Sequence, residues 1–249
     1  MKLKNKVAII TGGSSGIGQA GAIALAKEGA DVLITYRSNK EGAIYTQNKI
    51  NELGKDCEIL RTDLENIEDI KTIVKKTLEK YSGIDILVNN AGDSNFAEFL
   101  DDTLENLNYL FNINVKSIFY LSQLVAKEMI KRGGGNIINI TSISGVSVND
   151  SGLTSYCTSK AAANMLTKGM AKSLAKYNIR VNAILPGSID TPLTRRKASK
   201  KVIKRTIEMT PLKRIGQSED IAGMILFLAT DDSKFMTGSL VVMDGGLIL

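Results

Sequence analysis

The amino-acid sequence predicts one domain with a doubly wound parallel α/β sheet over its 249 residues. Seven short runs are rich in Val and Ile and nearly unbroken in apolarity, which is typical of strands buried on both faces of a sheet. Longer amphipathic segments with helical periodicity separate these runs. Repeated alternation of strand and helix indicates a parallel sheet with helices on both of its faces.

The predicted elements follow one another in a regular order along the chain. The strands are the compact apolar runs 7–11, 31–36, 56–61, 84–89, 136–141, 180–185 and 240–244. The helices are the amphipathic segments 16–29, 40–53, 66–81, 101–131, 155–177 and 218–230. Glycines at 29, 54, 83 and 133–135 act as stop signals after the first four helices. No linker-like tract interrupts the alternation, so a single domain, 1–249, is predicted.

Composition narrows the classes of function. The chain is 43% hydrophobic and 23% charged, which is ordinary for a folded globular domain. No run approaches the roughly 20 apolar residues that a membrane helix needs. The basic start leads only into the short apolar run 7–10, so neither a membrane span nor a targeting segment is predicted.

The chain contains no histidine. Its absence excludes Ser-His-Asp and Cys-His catalysis, His-containing zinc sites, and imidazole as a general acid or base. Proton transfer at neutral pH must then fall to Tyr, Lys, Cys or a carboxylate. Cys57 and Cys157 lie far apart and form neither a metal-ligand pattern nor a disulfide framework. We therefore expect reduced thiols, a cytoplasmic location and no metal site.

A glycine cluster ends the first predicted strand. Its spacing is G-x3-G-x-G, and an alanine-rich helix follows at once. Small residues there let backbone amides and the positive end of the helix approach a pyrophosphate. A tight structural turn is the alternative, but the position after the first strand favours nucleotide binding. The candidate contacts are Gly12, Ser14, Ser15, Gly16, Ile17 and Gly18.

The end of the second predicted strand is where a dinucleotide-binding protein distinguishes NAD from NADP. An acidic residue there binds the ribose 2′-hydroxyl and repels a 2′-phosphate. This chain has Arg37 and Ser38 instead, a planar cation and a hydroxyl that suit a phosphate. NADP(H) is therefore favoured and NAD(H) is possible; an ordinary exposed Arg is the structural alternative.

The candidate acid/base pair is Tyr156 and Lys160, whose spacing places both side chains on one helix face. The same spacing occurs at Tyr36 and Tyr45, so the pattern alone means little. Ser142, at the end of a predicted strand, separates this pair from the other two. A nearby Lys⁺ stabilises a phenolate and lowers the pKa of tyrosine, while a serine hydroxyl can hydrogen-bond a substrate oxygen as charge develops on it.

These motifs, taken together, resemble the short-chain dehydrogenase/reductase family over essentially the whole length of the chain. The match is carried by eight motifs in family order: 11–18, Asp63-Leu64, Asn89-Asn90-Ala91-Gly92, Asn114, Ser142, Tyr156 with Lys160, Pro186-Gly187 and Asp244-Gly245-Gly246. The resemblance implies a Rossmann-like fold and an NAD(P)-dependent oxidoreductase.

The resemblance also implies a role for each matching residue. Asp63, with Leu64 beside it, would contact the adenine. Asn114 would hold a water that links Lys160 to solvent in a proton relay, and Lys160 would bind the nicotinamide ribose as well. Residues after the fourth strand would line the adenosine ribose: Asn90, Ala91 and Gly92. Residues after the sixth would flank the nicotinamide: Pro186, Gly187, Ile189 and Thr191.

The segment 188–212 would form a lid over the substrate pocket, by the same resemblance. Within it the eleven residues 195–205 contain seven cations and no acid, although the whole chain has a net charge of only +6. This run either attracts an anionic carrier, such as the phosphopantetheine arm of acyl carrier protein or CoA, or is simply a solvated helix. It contains no aromatic residue, which disfavours nucleic-acid binding.

The predicted activity is hydride transfer between NADP(H) and a carbonyl or secondary alcohol, with Tyr156 exchanging the proton. The expected reaction is reduction of a 3-oxoacyl-(acyl carrier protein), and the alternative is a sugar or polyol dehydrogenase of the glucose 1-dehydrogenase type. The intact candidate set disfavours a regulator that has lost catalysis. The resemblance further implies a homotetramer, with 101–131, 155–177 and the C-terminal strand at interfaces, and neither nucleic acid nor membrane as partner.

Overall fold

The computed structural model describes residues 1–148 and 151–249. It contains a seven-stranded sheet whose pairings are all parallel, in the order β3-β2-β1-β4-β5-β6-β7. The strands are β1 (Val7–Ile10), β2 (Asp31–Tyr36), β3 (Cys57–Arg61), β4 (Ile86–Asn89), β5 (Gly135–Ile140), β6 (Ile179–Pro186) and β7 (Leu240–Met243). The predicted doubly wound single domain is confirmed, with each predicted strand present to within two residues at either end.

Helices cover both faces of this sheet. They are α1 (Gly16–Lys27), α2 (Lys40–Asn51), α3 (Ile67–Tyr81), α4 (Leu104–Phe111), α5 (Ser117–Lys131), α6 (Thr154–Leu174), α7 (Pro192–Lys197), α8 (Lys200–Met209) and α9 (Ser218–Ala229). None of the helices in the described residues is long and apolar enough to cross a membrane.

The core has two halves because successive strand residues point to opposite faces of the sheet. Ala8 and Ile10 of β1 pack in a cluster with residues of α1, α2 and α9, whereas Ile9 packs on the other face with residues of α3, α5 and α6. All four residues of β1 are buried. This double burial explains why the strands are continuous apolar runs and not alternating ones.

The segment predicted as one helix, 101–131, is two helices joined by a π-helical turn. Thr103 caps α4 by accepting a hydrogen bond from the Asn106 amide, so α4 begins at Leu104. The turn Asn112–Lys116 then widens the helix before α5 begins. The prediction of a continuous helix was wrong here. The bonds that Asn114 makes to residues outside the helix, described below, supply its physical reason.

The segment after β6 folds back over the carboxyl ends of the strands. An isolated parallel bridge joins Ile189 to Gly216 and ties the two ends of the segment together. Thr191 caps α7 and Ser199 caps α8, each accepting a hydrogen bond from a backbone amide three residues on. No residue of α7 or α8 is buried, which distinguishes them from the core helices.

Candidate active site

The candidate residues meet at the carboxyl end of the sheet, where the strand order reverses between β1 and β4. In a doubly wound sheet the connections leave in opposite directions from this point, and a crevice opens between them. The loops after β1, β4, β5 and β6 all border this crevice and supply the residues that the motifs singled out.

The glycine loop between β1 and α1 leaves no room for larger residues. A Cβ atom added to Gly18 would lie 2.4 Å from both the Asn90 side-chain nitrogen and the Gly12 carbonyl oxygen. Gly12 and Gly16 have φ of 68° and 55°, a region that favours glycine. Ser15, at the N-cap of α1, makes no side-chain capping bond. The tight loop leaves space for a ligand against its backbone, and the amides at the start of α1 are not bonded by a capping side chain. Both features fit a dinucleotide pyrophosphate.

The Asn90 side chain holds the glycine loop in place through hydrogen bonds. Its side-chain nitrogen donates to the carbonyl oxygens of Thr11 and Gly12, at 2.9 and 3.3 Å. The Thr11 hydroxyl in turn accepts hydrogen bonds from the backbone amides of Asn90 and Ala91, both at 3.0 Å. The loops after β1 and β4 are therefore bound to each other, and the side-chain donors of Asn90 are used in holding the glycine loop.

Arg37 and Ser38 lie exposed after β2, next to the residues after β3. The Arg37 guanidinium is 3.8 Å from the Asp63 carboxylate and 3.4 Å from the Tyr109 hydroxyl. The Tyr109 hydrogen bond and the Asp63 charge raise the pKa of Arg37, so this group is a permanent cation. Leu64, beside Asp63, is buried. The N-cap of α3 is Asn66, so the Asp63 carboxylate does not cap that helix.

Tyr156, Lys160 and Ser142 are brought together at the centre of the crevice. Lys160 is 5% exposed; its amine lies 5.7 Å from the centroid of the Tyr156 ring and 3.4 Å from the Ile140 carbonyl oxygen. Ser142 follows β5 in an extended conformation and accepts a hydrogen bond from the Ser144 amide. The other Tyr-x3-Lys pairs lie outside this group, and Tyr45 is largely exposed on α2.

Asn114 joins this group through the π-helical turn. It is fully buried, and its side chain bonds both backbone polar groups of Asp93, at 3.1 and 3.0 Å. Its side-chain nitrogen also donates to the Ser159 hydroxyl at 3.0 Å. A Cβ atom on Gly92 would lie 2.7 Å from the Asn114 oxygen and 3.3 Å from the Lys160 amine, so glycine here lets the two side chains approach.

Burial decides the protonation of the central pair. It raises the pKa of Tyr156 to about 12, with hydrogen bonding to Ser142 opposing the shift and the charge of Asp93 adding to it. Burial also lowers the pKa of Lys160 to about 8. The sequence predicts a tyrosine made more acidic by lysine. The raised pKa of Tyr156 contradicts that prediction, because the amine lies over the ring face and desolvation dominates the shifts of both groups.

The residues after β6 close one side of the crevice. Pro186 ends the strand, and a Cβ atom on Gly187 would lie 2.7 Å from the Asp244 Cβ, so this turn also needs a residue without a side chain. Ile189 is buried, and the Thr191 side chain lies against Gly16 of the glycine loop. The predicted nicotinamide-flanking residues and the predicted phosphate loop are thus neighbours.

Two residues at the site were missed by the motif analysis, Asp93 and Tyr109. The Tyr109 hydroxyl donates a 2.8 Å hydrogen bond to the Asp93 carboxylate, which lies between Asn114 and the segment 188–212. Asp93 comes directly after the Asn-Asn-Ala-Gly motif, and that position was the available signal. Nothing in the local sequence marked Tyr109.

The basic run 195–205 is not a uniform set of free cations. Arg195 forms a two-pronged ion pair with Asp190, and Arg196 and Lys197 approach Asp93 at 3.8 and 3.9 Å. Lys200, Lys201 and Arg205, on α8, have no ion-pair partner within the described part of the chain. The run is exposed throughout, but the cations of α7 lie next to carboxylates at the crevice, whereas Lys200, Lys201 and Arg205 of α8 do not.

A glycine loop at a helix start, next to Tyr156, Ser142 and the buried Lys160, defines a nucleotide-binding oxidoreductase that needs no histidine. Comparison with known proteins agrees: a family model described as Enoyl-(Acyl carrier protein) reductase matches residues 12–248. The chain belongs to the short-chain dehydrogenase/reductase family. It is an NAD(P)-dependent oxidoreductase of that family.

Similar proteins differ in substrate and cofactor. The chain is 40% identical to the 3-oxoacyl-(acyl carrier protein) reductase FabG of Thermotoga maritima over 100% of both sequences. A 7α-hydroxysteroid dehydrogenase complexed with NADH and 7-oxo glycochenodeoxycholic acid is 37% identical, with a TM-score of 0.94 over 98% of this chain and 95% of that one. A short-chain dehydrogenase of Burkholderia cenocepacia in complex with NADP is 32% identical, with a TM-score of 0.95 over 100% of both chains.

Replacing the buried amine should stabilise the fold in a pH-dependent way. Below pH 8 Lys160 is protonated in the folded and unfolded chain, and the folded chain carries a desolvated charge. Lys160→Met should therefore raise the free energy of unfolding at pH 7 by on the order of 1–3 kcal/mol. Between pH 8 and 10.5 the folded wild type binds fewer protons than the unfolded chain, so the wild type gains stability and the difference narrows.

Urea unfolding of both proteins at pH 7, 8, 9 and 10 measures this difference. Lys168→Met is the matched control, because Lys168 is exposed on the same helix. Its difference from wild type should stay small and constant over the same range. A Lys160→Met protein that is less stable than wild type at pH 7 would contradict the burial argument.

Proposed function

We propose that this protein is an NADP(H)-dependent reductase of 3-oxoacyl groups carried as thioesters on a phosphopantetheine arm. The observation that carries the proposal is the placement of Tyr156, Lys160 and Ser142 together beside the glycine loop. The full-length similarity to a 3-oxoacyl-(acyl carrier protein) reductase supports the choice of carbonyl substrate. The basic run 195–205 would attract the negative charge of such a carrier.

Each side chain of the group has a part in the proposed reaction. When bound, the nicotinamide supplies the hydride that adds to the substrate carbonyl carbon. The Tyr156 phenol is protonated at neutral pH, and burial raises its pKa to about 12; it gives its proton to the carbonyl oxygen. The Ser142 hydroxyl is hydrogen-bonded to the Tyr156 phenol. It would donate to the same carbonyl oxygen as negative charge grows on that oxygen.

Lys160 and Asn114 would return the proton to Tyr156. The pKa of Lys160, about 8, lies near the working pH, so its amine can both give and accept a proton. Asn114 lies next to it across Gly92, and its buried amide is the group that would orient a water between Lys160 and solvent. Lys160 would also hold the nicotinamide ribose, while Pro186, Gly187, Ile189 and Thr191 flank the ring.

The same proposal assigns the adenosine half of NADP(H) to the loops after β2, β3 and β4. Arg37 is a permanent cation with an exposed guanidinium, which suits a 2′-phosphate, and Ser38 beside it offers a hydroxyl. Asp63 would face the adenine, with Leu64 packed beneath it. Asn90, Ala91 and Gly92 would support the adenosine ribose from below.

A homotetramer in the cytoplasm and a lid function for 188–212 belong to the same proposal. On α5 and α6, Phe119 and Met165 are 52% and 67% exposed, and large apolar side chains at such exposure suit an interface. Ile118 and Leu121, in contrast, are buried in the core of the monomer. Leu249 at the C-terminus is exposed as well.

A sugar or polyol dehydrogenase is the second candidate. The observation that favours it is the polarity at the mouth of the crevice, where Asp93 and Asn95 face the segment 188–212 and Lys197 donates to Asn95 at 2.8 Å. Such groups would pair with substrate hydroxyls better than with an acyl chain.

A substrate panel separates the two candidates. Rates with NADPH or NADP⁺ would be measured for acetoacetyl-CoA, for a glucose and polyol series, and for a 7α-hydroxysteroid. The proposal expects a kcat/KM for acetoacetyl-CoA at least tenfold above the other classes. A higher value for glucose or a polyol would overturn it in favour of the second candidate.

Removing the phenol hydroxyl should abolish turnover without preventing cofactor binding. Tyr156→Phe is expected to lower kcat about a thousandfold, because the proton donor is lost, while NADPH still binds by fluorescence titration. Tyr45→Phe is the matched control, since Tyr45 has the same spacing to a lysine and is exposed on α2. Its kcat should equal that of wild type. Equal losses in both variants, or none in Tyr156→Phe, would refute the acid role.

Cofactor preference should depend on one side chain. Arg37→Ala is expected to lower kcat/KM for NADPH about tenfold or more, because a charge-assisted pair with the 2′-phosphate is lost. The kcat/KM for NADH, which lacks that phosphate, serves as the internal control and should change less than twofold. A parallel fall for both cofactors would show that Arg37 acts structurally and not in phosphate selection.

A further inference from the structure

Asp93 places a carboxylate between the candidate catalytic group and the segment 188–212. Both of its backbone polar groups are bonded to the buried side chain of Asn114, so its position is fixed relative to the active site. Its carboxylate lies 3.8 Å from the Arg196 guanidinium and 3.9 Å from the Lys197 amine. Two cations of α7 are thereby held within reach of the crevice.

Arg196 and Lys197 lie near Asp93 but form no direct hydrogen bond with its carboxylate. Both separations exceed the length of a direct hydrogen bond. The Asp93 carboxylate instead accepts from the Tyr109 hydroxyl and the Ser94 amide, each at 2.8 Å. Within the described residues the Arg196 side chain makes no hydrogen bond, while Lys197 donates to Asn95. A guanidinium with its donors unused therefore stands at the mouth of the site.

The neighbouring cations of the run differ from this pair. Arg195 is engaged by Asp190 through two hydrogen bonds of 2.7 and 2.8 Å. Lys200 and Lys201 are exposed at the start of α8, and neither has an ion-pair partner in the described chain. Compared with Arg195, Lys200 and Lys201, and within the described residues, Arg196 and Lys197 combine a place beside the catalytic group with unused capacity to bind an anion.

We propose that Arg196 and Lys197 form an anion-binding subsite at the mouth of the crevice, and that Asp93 offsets part of its positive charge when no anion is bound. The guanidinium can bind carboxylate or phosphate oxygens in two-pronged fashion, which its long approach to Asp93 does not achieve. The subsite selects carbonyl substrates that carry an anionic group away from the reacting carbon. The reacting carbonyl itself rests on the proposed function, but anion binding does not.

This arrangement makes opposite predictions for the cations and for the carboxylate. R196Q/K197Q removes the positive charge and should weaken anion binding about tenfold. Asp93→Asn keeps one of the two acceptor oxygens, which now bond the Ser94 amide and the Tyr109 hydroxyl, and removes a competing negative charge, so it should strengthen anion binding several-fold. A merely structural role for the cluster would weaken binding in both variants.

The binding experiment uses free CoA and the full chain saturated with NADP⁺, so that the adenosine site is closed to CoA. Calorimetric titration at about 0.15 M salt, where the Debye length is about 8 Å, gives the dissociation constant for wild type and each variant. K200Q/K201Q is the control with the same charge change on the same segment. This control should weaken CoA binding less than twofold, because salt screens the long-range attraction between Lys200, Lys201 and the CoA phosphates.

Three substrates identify the source of the anion. Acetoacetyl-CoA carries phosphates, acetoacetate carries a carboxylate, and the N-acetylcysteamine thioester of acetoacetate carries neither. R196Q/K197Q should raise KM about tenfold for whichever anionic substrate uses the subsite and less than twofold for the neutral thioester. Any effect that Asp93→Asn has through Tyr156 is the same for all three substrates. The ratio of the KM for an anionic substrate to the KM for the neutral thioester therefore reports anion binding alone.

The outcomes separate the subsite from the proposed function. Equal loss of CoA affinity in R196Q/K197Q and K200Q/K201Q, or no loss in either together with unchanged KM ratios, overturns the subsite. Loss confined to acetoacetate assigns the anion to a substrate carboxylate. A tenfold loss of CoA affinity in a protein that reduces no acetoacetyl substrate upholds the subsite and overturns the proposed function.

Discussion

The burial of the Lys160 amine is the constraint on which the rest of the site depends. A primary amine that is 5% exposed, with one long bond to a backbone carbonyl, is held against its preference for water by everything packed around it. Gly92 makes room for it, and the π-helical turn brings Asn114 beside it. The buried charge destabilises the fold. The same burial lowers the pKa of Lys160 to about 8, which suits an acid/base group working near neutral pH.

A buried polar network links the central strands to the helix that carries Lys160. Asn89 at the end of β4 donates to Ser122 and Asn139, and Asn139 donates to Thr167 on α6. All of these groups are buried, and each finds a partner, so they join two strands to the helices that carry the site. The Asn139–Thr167 bond holds α6 against β5, with Lys160 opposite the loop that begins at Ser142.

The sequence predicted those features that arise from local pattern. Continuous apolar runs located the seven strands, and close-packed glycines located the phosphate loop. Periodicity could not show the π-helical turn, because 101–131 contains neither Gly nor Pro, and the widening follows from bonds between Asn114 and the distant Asp93 and Ser159. The direction of the Tyr156 pKa was missed for a related reason: spacing brings Lys160 near, but burial, which outweighs it, is a property of the whole fold.

Charge is distributed along the crevice in a way that follows from these same contacts. The Tyr109 hydroxyl is bonded to both Arg37 and Asp93, and Arg196 and Lys197 approach the same Asp93 carboxylate. Burial is the main cause of the raised pKa of Tyr156, and the charge of the Asp93 carboxylate adds to it. Cations brought closer to Asp93 would oppose that effect. The segment 188–212 thus bears on the central acid through charge as well as through shape, because its cations and the phenol face the same carboxylate.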